Sequence, residues 1–407
     1  MTEPAPPAAG PLSGVRILEL GVLLAGPFAG RLLADLGAEV IKVEPPGQPD
    51  PLRVWGRVSA GGHGLLWRIQ ARNKKLITLN LRERAGQDVL RALVRRSDVL
   101  LENFRPGTLE RWQLGPDRLW EANPELIIAR VSGYGQTGPY AGRAGFASVA
   151  EAMGGLRHLN GFPGREPPRA GISLGDSLAG LFAAQGILAA LYRREAGADR
   201  RGQVIDVSLV ESCFALLEGA VPEYDALGSI RGPSGTALAG VAPSNIYLAA
   251  DDRWMVIAAN GDKVFRRLCE VMDRPELADD PDYADHRARG AHQEALDAEI
   301  ASWVARHDSR EIDAVLNAAG VVCGPIYTVA DIVADPHYRA RDMLVQHDDP
   351  ELGSVLGPGV VPKFSRTPGA VRWTGPLAEG SHNDDVLRGL LGLDEATIGE
   401  LARDGIV

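Results

Sequence analysis

Residues 14–44 read GVRILEL, GVLLAG, PFAGRLLADLG and AEVIKVE in succession, and the spacing of their apolar positions decides the fold. Residues 14–20 are a short β-branched and apolar run of strand length. Residues 27–36 carry apolar side chains at helical spacing and are closed by Gly37, the residue type that most readily takes the left-handed turn at a helix end. Residues 38–44 return to strand patterning. A strand, a helix and a second strand in about thirty residues make one βαβ unit.

The alternation continues with strands at 76–81 (LITLNL), 98–103 (DVLLEN) and 126–132 (LIIARVS), separated by helical stretches at 86–96 and 111–123. A helix at 177–194 leads into a last strand at 204–209. Strands joined by crossover helices imply a parallel sheet covered on both faces, so the expectation is an α/β fold with a large doubly wound, Rossmann-like domain. Ligands of such sheets bind beyond the carboxyl ends of the strands. The loops that matter are therefore 21–26, 45–48, 80–84, 102–108 and 133–145.

Beyond the last strand, residues 228–240 (GSIRGPSGTALAG) have the Gly, Ser and Pro density of a connector. The pattern then restarts with strands at 244–248 and 254–258 and helices at 262–272 and 291–306. This gives a large α/β domain over 1–210, a linker over 211–240 and a small α/β domain over 241–325. Residues 326–407 have too little periodicity to stand alone and are expected to return to the large domain. A chain of 407 residues exceeds the usual size of one core, which agrees with two domains.

Composition narrows the function. With 45% hydrophobic and 24% charged residues the chain has the make-up of a soluble globular protein. The opening MTEPAPPAAGPLSG has neither the basic start nor the apolar core of a signal sequence, and no run of about 18 apolar residues is read, so a cytoplasmic protein without membrane partners is expected. A net charge of −10 argues against nucleic acid, which demands a broad basic surface. Cys213, Cys269 and Cys323 lack ligand spacing and read as small buried hydrophobes, and the eight histidines form no paired-ligand pattern, so no metal is expected.

The first βα turn, Gly21-Val-Leu-Leu-Ala-Gly26, lacks the middle glycine of the dinucleotide fingerprint, having Leu23 there. A phosphate-binding P-loop and a GxSxG elbow are absent, and Ser173 and Ser177 have no histidine nearby in sequence. The informative segment is 170–180, AGISLGDSLAG. A short apolar run ends at Gly175-Asp176 and a helix opens, which sets one carboxylate beside a helix N-terminus. By residue type alone, Asp176 fits helix capping as well as chemistry.

Six runs in order change that balance: residues 11–44, 73–81 (NKKLITLNL), 102–111 (ENFRPGTLER), 133–140 (GYGQTGPY), 175–180 (GDSLAG) and 202–207 (GQVIDV). Together they make the chain resemble the class III CoA-transferases, a family that also includes α-methylacyl-CoA racemases. The resemblance implies that Asp176 is a carboxylate nucleophile toward a thioester, with main-chain N–H groups around Gly175 to Ser177, or from a facing loop, as oxyanion donors. It implies coenzyme A contacts at Leu24 and Ala25, at Leu79, Asn80, Leu81 and Arg82, at Asn103, Phe104 and Arg105, and at Arg111. The three arginines are the phosphate partners. Coenzyme A thioesters and free carboxylic acids are then substrates, with no permanently bound cofactor. The resemblance also implies an interlocked homodimer, its active site formed between the large domain of one subunit and the small domain of the other.

Three departures bear on the branch. Pro45 stands where relatives often carry Arg, leaving Arg53 and Lys42 as the nearby cations to compensate. Phe146 and Ala147 replace the His-Asp pair of the racemases; since racemisation needs an acid and a base on opposite faces, this favours transfer, with Phe146 lining the acyl site. The glycine run that covers the aspartate in formyl and oxalate transferases is dispersed here over 228–240. Residues 158–161, 243–248 and 254–260 look closer to the branch exchanging CoA between succinyl-CoA and dicarboxylic or hydroxydicarboxylic acids. An isomerase and a non-catalytic CoA-binding protein are the alternatives.

Overall fold

The computed structural model describes residues 10–59, 61–238 and 240–407; residues 1–9, position 60 and position 239 of the expected linker lie outside the described residues. Two compact units form, a larger one of residues 10–156, 170–218 and 338–407 and a smaller one of 157–169 and 219–337.

The larger unit is built on a six-stranded parallel sheet: β1 (Arg16–Glu19), β2 (Glu39–Glu44), β3 (Lys74–Thr78), β4 (Val99–Glu102), β5 (Ile127–Ser132) and β6 (Val204–Ser208), in the order β3-β2-β1-β4-β5-β6. Side chains alternate between faces. Ile17, Val40, Val99 and Ile127 join Leu33, Ala183 and Ile187 in one apolar layer, while Leu18, Ile41, Leu100 and Ile128 join Leu90, Leu93 and Leu119 in the other. The order reverses between β1 and β4, so a crevice opens beyond their carboxyl ends.

Among the described residues one helix, Leu174–Ala196, is long and apolar enough to cross a membrane by length and composition, a run that the sequence reading did not count. Its apolarity serves packing. Gly175, Ala179, Gly180, Ala183, Ala184, Ile187, Ala190 and Leu191 form one buried stripe at helical spacing. Gly180 lets the helix approach Ala25–Asp35 closely, since a Cβ there would stand 2.8 Å from the Ala25 carbonyl oxygen and 2.7 Å from Phe28 Cδ1.

Several elements differ from expectation. Residues 111–123 form two helices, Thr108–Arg111 and Pro116–Ala122, because Gln113 has φ of 55° and Pro116 begins a new first turn. Residues 211–240 are not a bare linker, for they carry the end of helix Leu209–Phe214 and all of helix Ala220–Leu227. Residues 326–337 belong to the smaller unit and include helix Val329–Ala334, opened by a Thr328/Asp331 capping box.

Residues 338–407 belong to the larger unit, where they cover the open edge of β3. The Leu76 and Thr78 N–H groups donate to His382 Nδ1 (3.1 Å) and Asn383 Oδ1 (2.9 Å), and Asn80 N–H donates to the Ile406 carbonyl (2.7 Å). An edge strand satisfied in this way cannot template another chain. The smaller unit has a three-stranded antiparallel sheet, β7 (Ser244–Leu248), β8 (Trp254–Ala258) and β9 (Val322–Pro325), whose inner face packs Tyr247, Met255 and Ile257 on Phe265, Leu268, Ile300 and Leu316.

Candidate active site

The crevice is set by hydrogen bonds between the loops after β1 and β4. Asn103 accepts from the Val22 N–H through Oδ1 (2.9 Å) and donates to the Val22 carbonyl through Nδ2 (2.9 Å). Gly21 is required for this clamp, because a Cβ there would lie 2.7 Å from Asn103 Oδ1. One residue on, Leu23 adopts φ of 63°, a left-handed conformation that costs a branched residue about 1 kcal/mol or more. Asp50 holds it there: the Leu23 N–H donates to both carboxylate oxygens, at 3.0 and 3.1 Å.

Asp50 belongs to a buried charge cluster beneath the loop. Lys42 reaches Asp50 (2.9 Å), Glu19 (3.2 Å) and the Gly21 carbonyl (2.6 Å), while Lys74 reaches Glu19 (2.7 Å) and the Pro27 carbonyl (2.7 Å). Arg53 pairs with Glu44 at 2.6 Å. Burial pulls Lys42 down, but the carboxylates of Asp50, Glu19 and Glu44 outweigh it and hold it above its ordinary value. Burial dominates at Lys74, lowering it to about 8. This cluster corrects one expectation. Lys42 is buried by its carboxylates, and Arg53 stays on Glu44, the Leu377 carbonyl and the Trp67 ring, so neither is available to replace the family arginine at Pro45.

Asp176 is the third residue of helix Leu174–Ala196 and half-buried; the N-cap position belongs to Ser173, whose side chain makes no capping hydrogen bond. A carboxylate in the first turn is favoured in its ionised form by the helix dipole. The turn is braced from the side by helix Ala147–Met153, where Glu151 (2% exposed) accepts from the Gly175 N–H at 3.1 Å. Gly175 permits that approach, since a Cβ would come within 3.3 Å of Glu151 Cγ and Ala147 Cβ. The Ser177 N–H donates to the Ser173 carbonyl. Gly175 and Ser177 therefore do not serve as the expected oxyanion donors, because both N–H groups are engaged.

A cavity of about 260 Å³ lies in this crevice, walled by residues 22–25, 103–106, 131–133 and 143–146 together with Asp176 and Leu209. It brings together Leu24, Ala25, Asn103, Phe104, Arg105, Phe146 and Asp176 from the sequence reading. Leu79, Asn80, Leu81, Arg82 and Arg111 are not part of its wall. Leu79 and Leu81 are buried in the apolar layer, Arg82 is exposed with Nη1 3.5 Å from Gln48, and Arg111 donates to Thr108 Oγ1 at 2.9 Å. Phe146, 63% exposed, stands at the cavity rim.

The Phe104 N–H donates to Glu102 at 2.6 Å, and Arg130 links Glu102 (2.8 Å) to Glu110 (2.7 Å). Burial raises the Glu102 carboxyl to about 7, with the Arg130 interaction opposing it. Asp50, Glu102 and Glu151 escaped the sequence reading because each acts on a main-chain N–H, a role without a motif. Elsewhere Cys213 and Cys269 are buried and Cys323 half-buried, and burial pushes all three thiols up to about 11, away from reactivity at neutral pH.

The family model described as CoA-transferase family III matches residues 12–383. The chain is 50% identical over 407 residues to a succinyl-CoA–D-citramalate CoA-transferase of Chloroflexus aurantiacus, covering 100% of both chains. It is 41% identical over 399 residues to the succinyl-CoA–L-malate CoA-transferase alpha subunit of Chloroflexus aurantiacus, covering 98% of this chain and 92% of that one. Among solved structures, a CAIB/BAIF family protein from Brucella suis superposes with a TM-score of 0.82 at 34% identity, covering 94% of this chain and 100% of that one.

Proposed function

The chain belongs to CoA-transferase family III and is a CoA-transferase, and we propose that it moves coenzyme A from succinyl-CoA to a second dicarboxylic or hydroxydicarboxylic acid with Asp176 as nucleophile. The observation that carries this reading is that Asp176 shares one cavity with the two loops of the β1/β4 switch point. A cavity of that size takes the reacting end of a thioester and not the whole coenzyme.

Chemistry at Asp176 proceeds by two acyl exchanges. The ionised carboxylate attacks the thioester carbonyl, and CoA thiolate leaves as a mixed anhydride forms. The thiolate attacks the aspartyl carbonyl, releasing the donor acid and leaving an aspartyl-CoA thioester. The incoming carboxylate attacks that thioester and again expels thiolate. Attack of the thiolate on the acceptor's carbonyl then gives the new acyl-CoA and restores Asp176. No electron changes hands, and one thioester is exchanged for another.

The tail of the coenzyme follows the loops at the carboxyl ends of the strands, with exposed Arg82, Arg105 and Arg111 as phosphate partners. A homodimer forms part of the proposal. It is supported by the apolar side chains Leu181, Phe182, Leu188 and Tyr192, left exposed on the helix that carries Asp176.

The test is to incubate the protein with succinyl-CoA and a panel of carboxylic acids and identify new acyl-CoA species by mass spectrometry. Transfer without net loss of CoA thioester is expected from the native protein and none from Asp176→Ala. Full transfer by that variant would overturn the nucleophile, and α-deuterium exchange without transfer would point to an isomerase.

A further inference from the structure

We propose that Arg143 is the residue that recognises the free, distal carboxylate of the dicarboxylic substrates; this inference rests on the function proposed above. The cavity wall carries two cations, Arg105 and Arg143. Arg105 stands on the loop after β4 and belongs with the phosphate contacts, so Arg143 is the cation left for the acyl end.

Its place on the wall is fixed by the backbone. The chain leaves β5 at Gly133 and returns at Gly145, where the two main chains touch: a Cβ on Gly133 would lie 2.9 Å from Gly145 Cα, and one on Gly145 would lie 2.8 Å from Gly133 Cα. This pinch closes the loop 133–145 and sets residues 143–146 against the cavity. The Arg143 guanidinium lies over the Tyr140 ring, 3.6 Å from its centroid, and Tyr140 packs edge-on against Tyr134. At that distance the cation–π contact holds the guanidinium without using its N–H donors. Among the described residues no carboxylate pairs with Arg143 and no side-chain hydrogen bond occupies it.

The chemistry of the substrates demands such a group. A succinyl thioester brings an ionised carboxylate into the small cavity that already holds the Asp176 carboxylate, and two like charges in a partly desolvated site repel. A forked cation on the wall offsets that repulsion and orients the acid, leaving the other carboxyl toward Asp176. The acceptor acid meets the same arrangement in the reverse half of the cycle, so one arginine reads donor and acceptor alike.

The experiment compares succinyl-CoA with butyryl-CoA, which has the same chain length and no distal carboxylate, in the native protein, Arg143→Gln and Arg143→Lys. Two ratios are measured: the dissociation constants of the two thioesters by calorimetry without acceptor, and their kcat/KM values with an acceptor acid present. A charge-assisted, forked hydrogen bond predicts that the native preference for succinyl-CoA falls about 10- to 100-fold in Arg143→Gln. It is partly restored by Lys, which keeps the charge but not the fork. Urea denaturation verifies that the variants fold. An unchanged preference in Arg143→Gln, or parallel losses for both thioesters, overturns the assignment. Absence of turnover with the binding preference intact would count against the proposed transferase reaction and leave the carboxylate site standing.

Discussion

Removing the Asp50 carboxylate should damage both stability and coenzyme binding, although none of its atoms is predicted to touch substrate. Asp50 is 2% exposed and accepts from the N–H groups of Leu23 and Leu52 while pairing with Lys42 at 2.9 Å. Breaking a buried ion pair by deleting one partner costs about 3–5 kcal/mol. Lys42 keeps Glu19 and the Gly21 carbonyl, which favours the lower end of that range. The Leu23 N–H loses its acceptor, worth about 1–3 kcal/mol if it stays dry. These terms share groups and do not add fully, so about 4 kcal/mol is expected for Asp50→Ala. Asp50→Asn keeps the shape and one acceptor oxygen, and about half that loss is expected. In Asp50→Ala, Leu23 has no side-chain acceptor to hold its left-handed conformation, and the loop 22–25 relaxes out of the cavity wall. Urea denaturation reads the first effect; the second appears as faster amide exchange in residues 20–26 and a raised KM for acyl-CoA. A loss below about 1 kcal/mol with unaltered exchange and KM would refute the claim that Asp50 holds the loop.

Two further outcomes follow from burial and close contact. Glu102, raised to about 7 from an ordinary 4.5, binds its proton more tightly in the folded state, so its favourable contribution is complete below the unfolded value and is lost as pH rises through 7. Relative to Glu102→Gln, the native protein should therefore lose stability between pH 4.5 and 8, by on the order of 3 kcal/mol, in denaturant melts at several pH values; a pH-independent difference would contradict the assignment. Gly180→Ala introduces a methyl 2.7 Å from Phe28 Cδ1 and 2.8 Å from the Ala25 carbonyl, and overpacking of about 1–3 kcal/mol should exceed the helix-propensity gain of about 1 kcal/mol. A net loss of stability with a raised KM is expected in urea melts and steady-state assays, and a more stable variant would show that the two helices can part freely.

Periodicity revealed the parallel sheet because the middle strands of such sheets are near-continuous apolar runs, and β1, β2, β4 and β5 lie within one or two residues of their expected bounds. β3 shows where this signal fails. It was read at 76–81 but occupies Lys74–Thr78, because two lysines look like a strand's outside. Lys74 is in fact fully buried on Glu19, and Glu19 faces Lys42 in register across β1 and β2. Charge that is neutralised across neighbouring strands is invisible to a pattern that scores each strand alone. The break at Gln113 was missed for a related reason, since a left-handed non-glycine residue has no local mark. Pro116, by contrast, was a visible start signal.

The site divides along the same line. Asp176 and Asn103 were singled out because they sit in runs that resemble a known family, and Phe146 because it departs from that pattern; all three line the cavity. The residues that give those side chains their geometry were not singled out. Asp50 fixes Leu23 and Glu151 fixes Gly175 from elements distant in sequence, while Glu102 fixes Phe104 from two residues away: in each case a side chain satisfies one main-chain N–H beside the cavity. A buried N–H needs an acceptor, but a side chain from any neighbouring element can supply it. The carboxylate proposed as nucleophile is thus specified by type and position, whereas its support is specified only by satisfied hydrogen bonding.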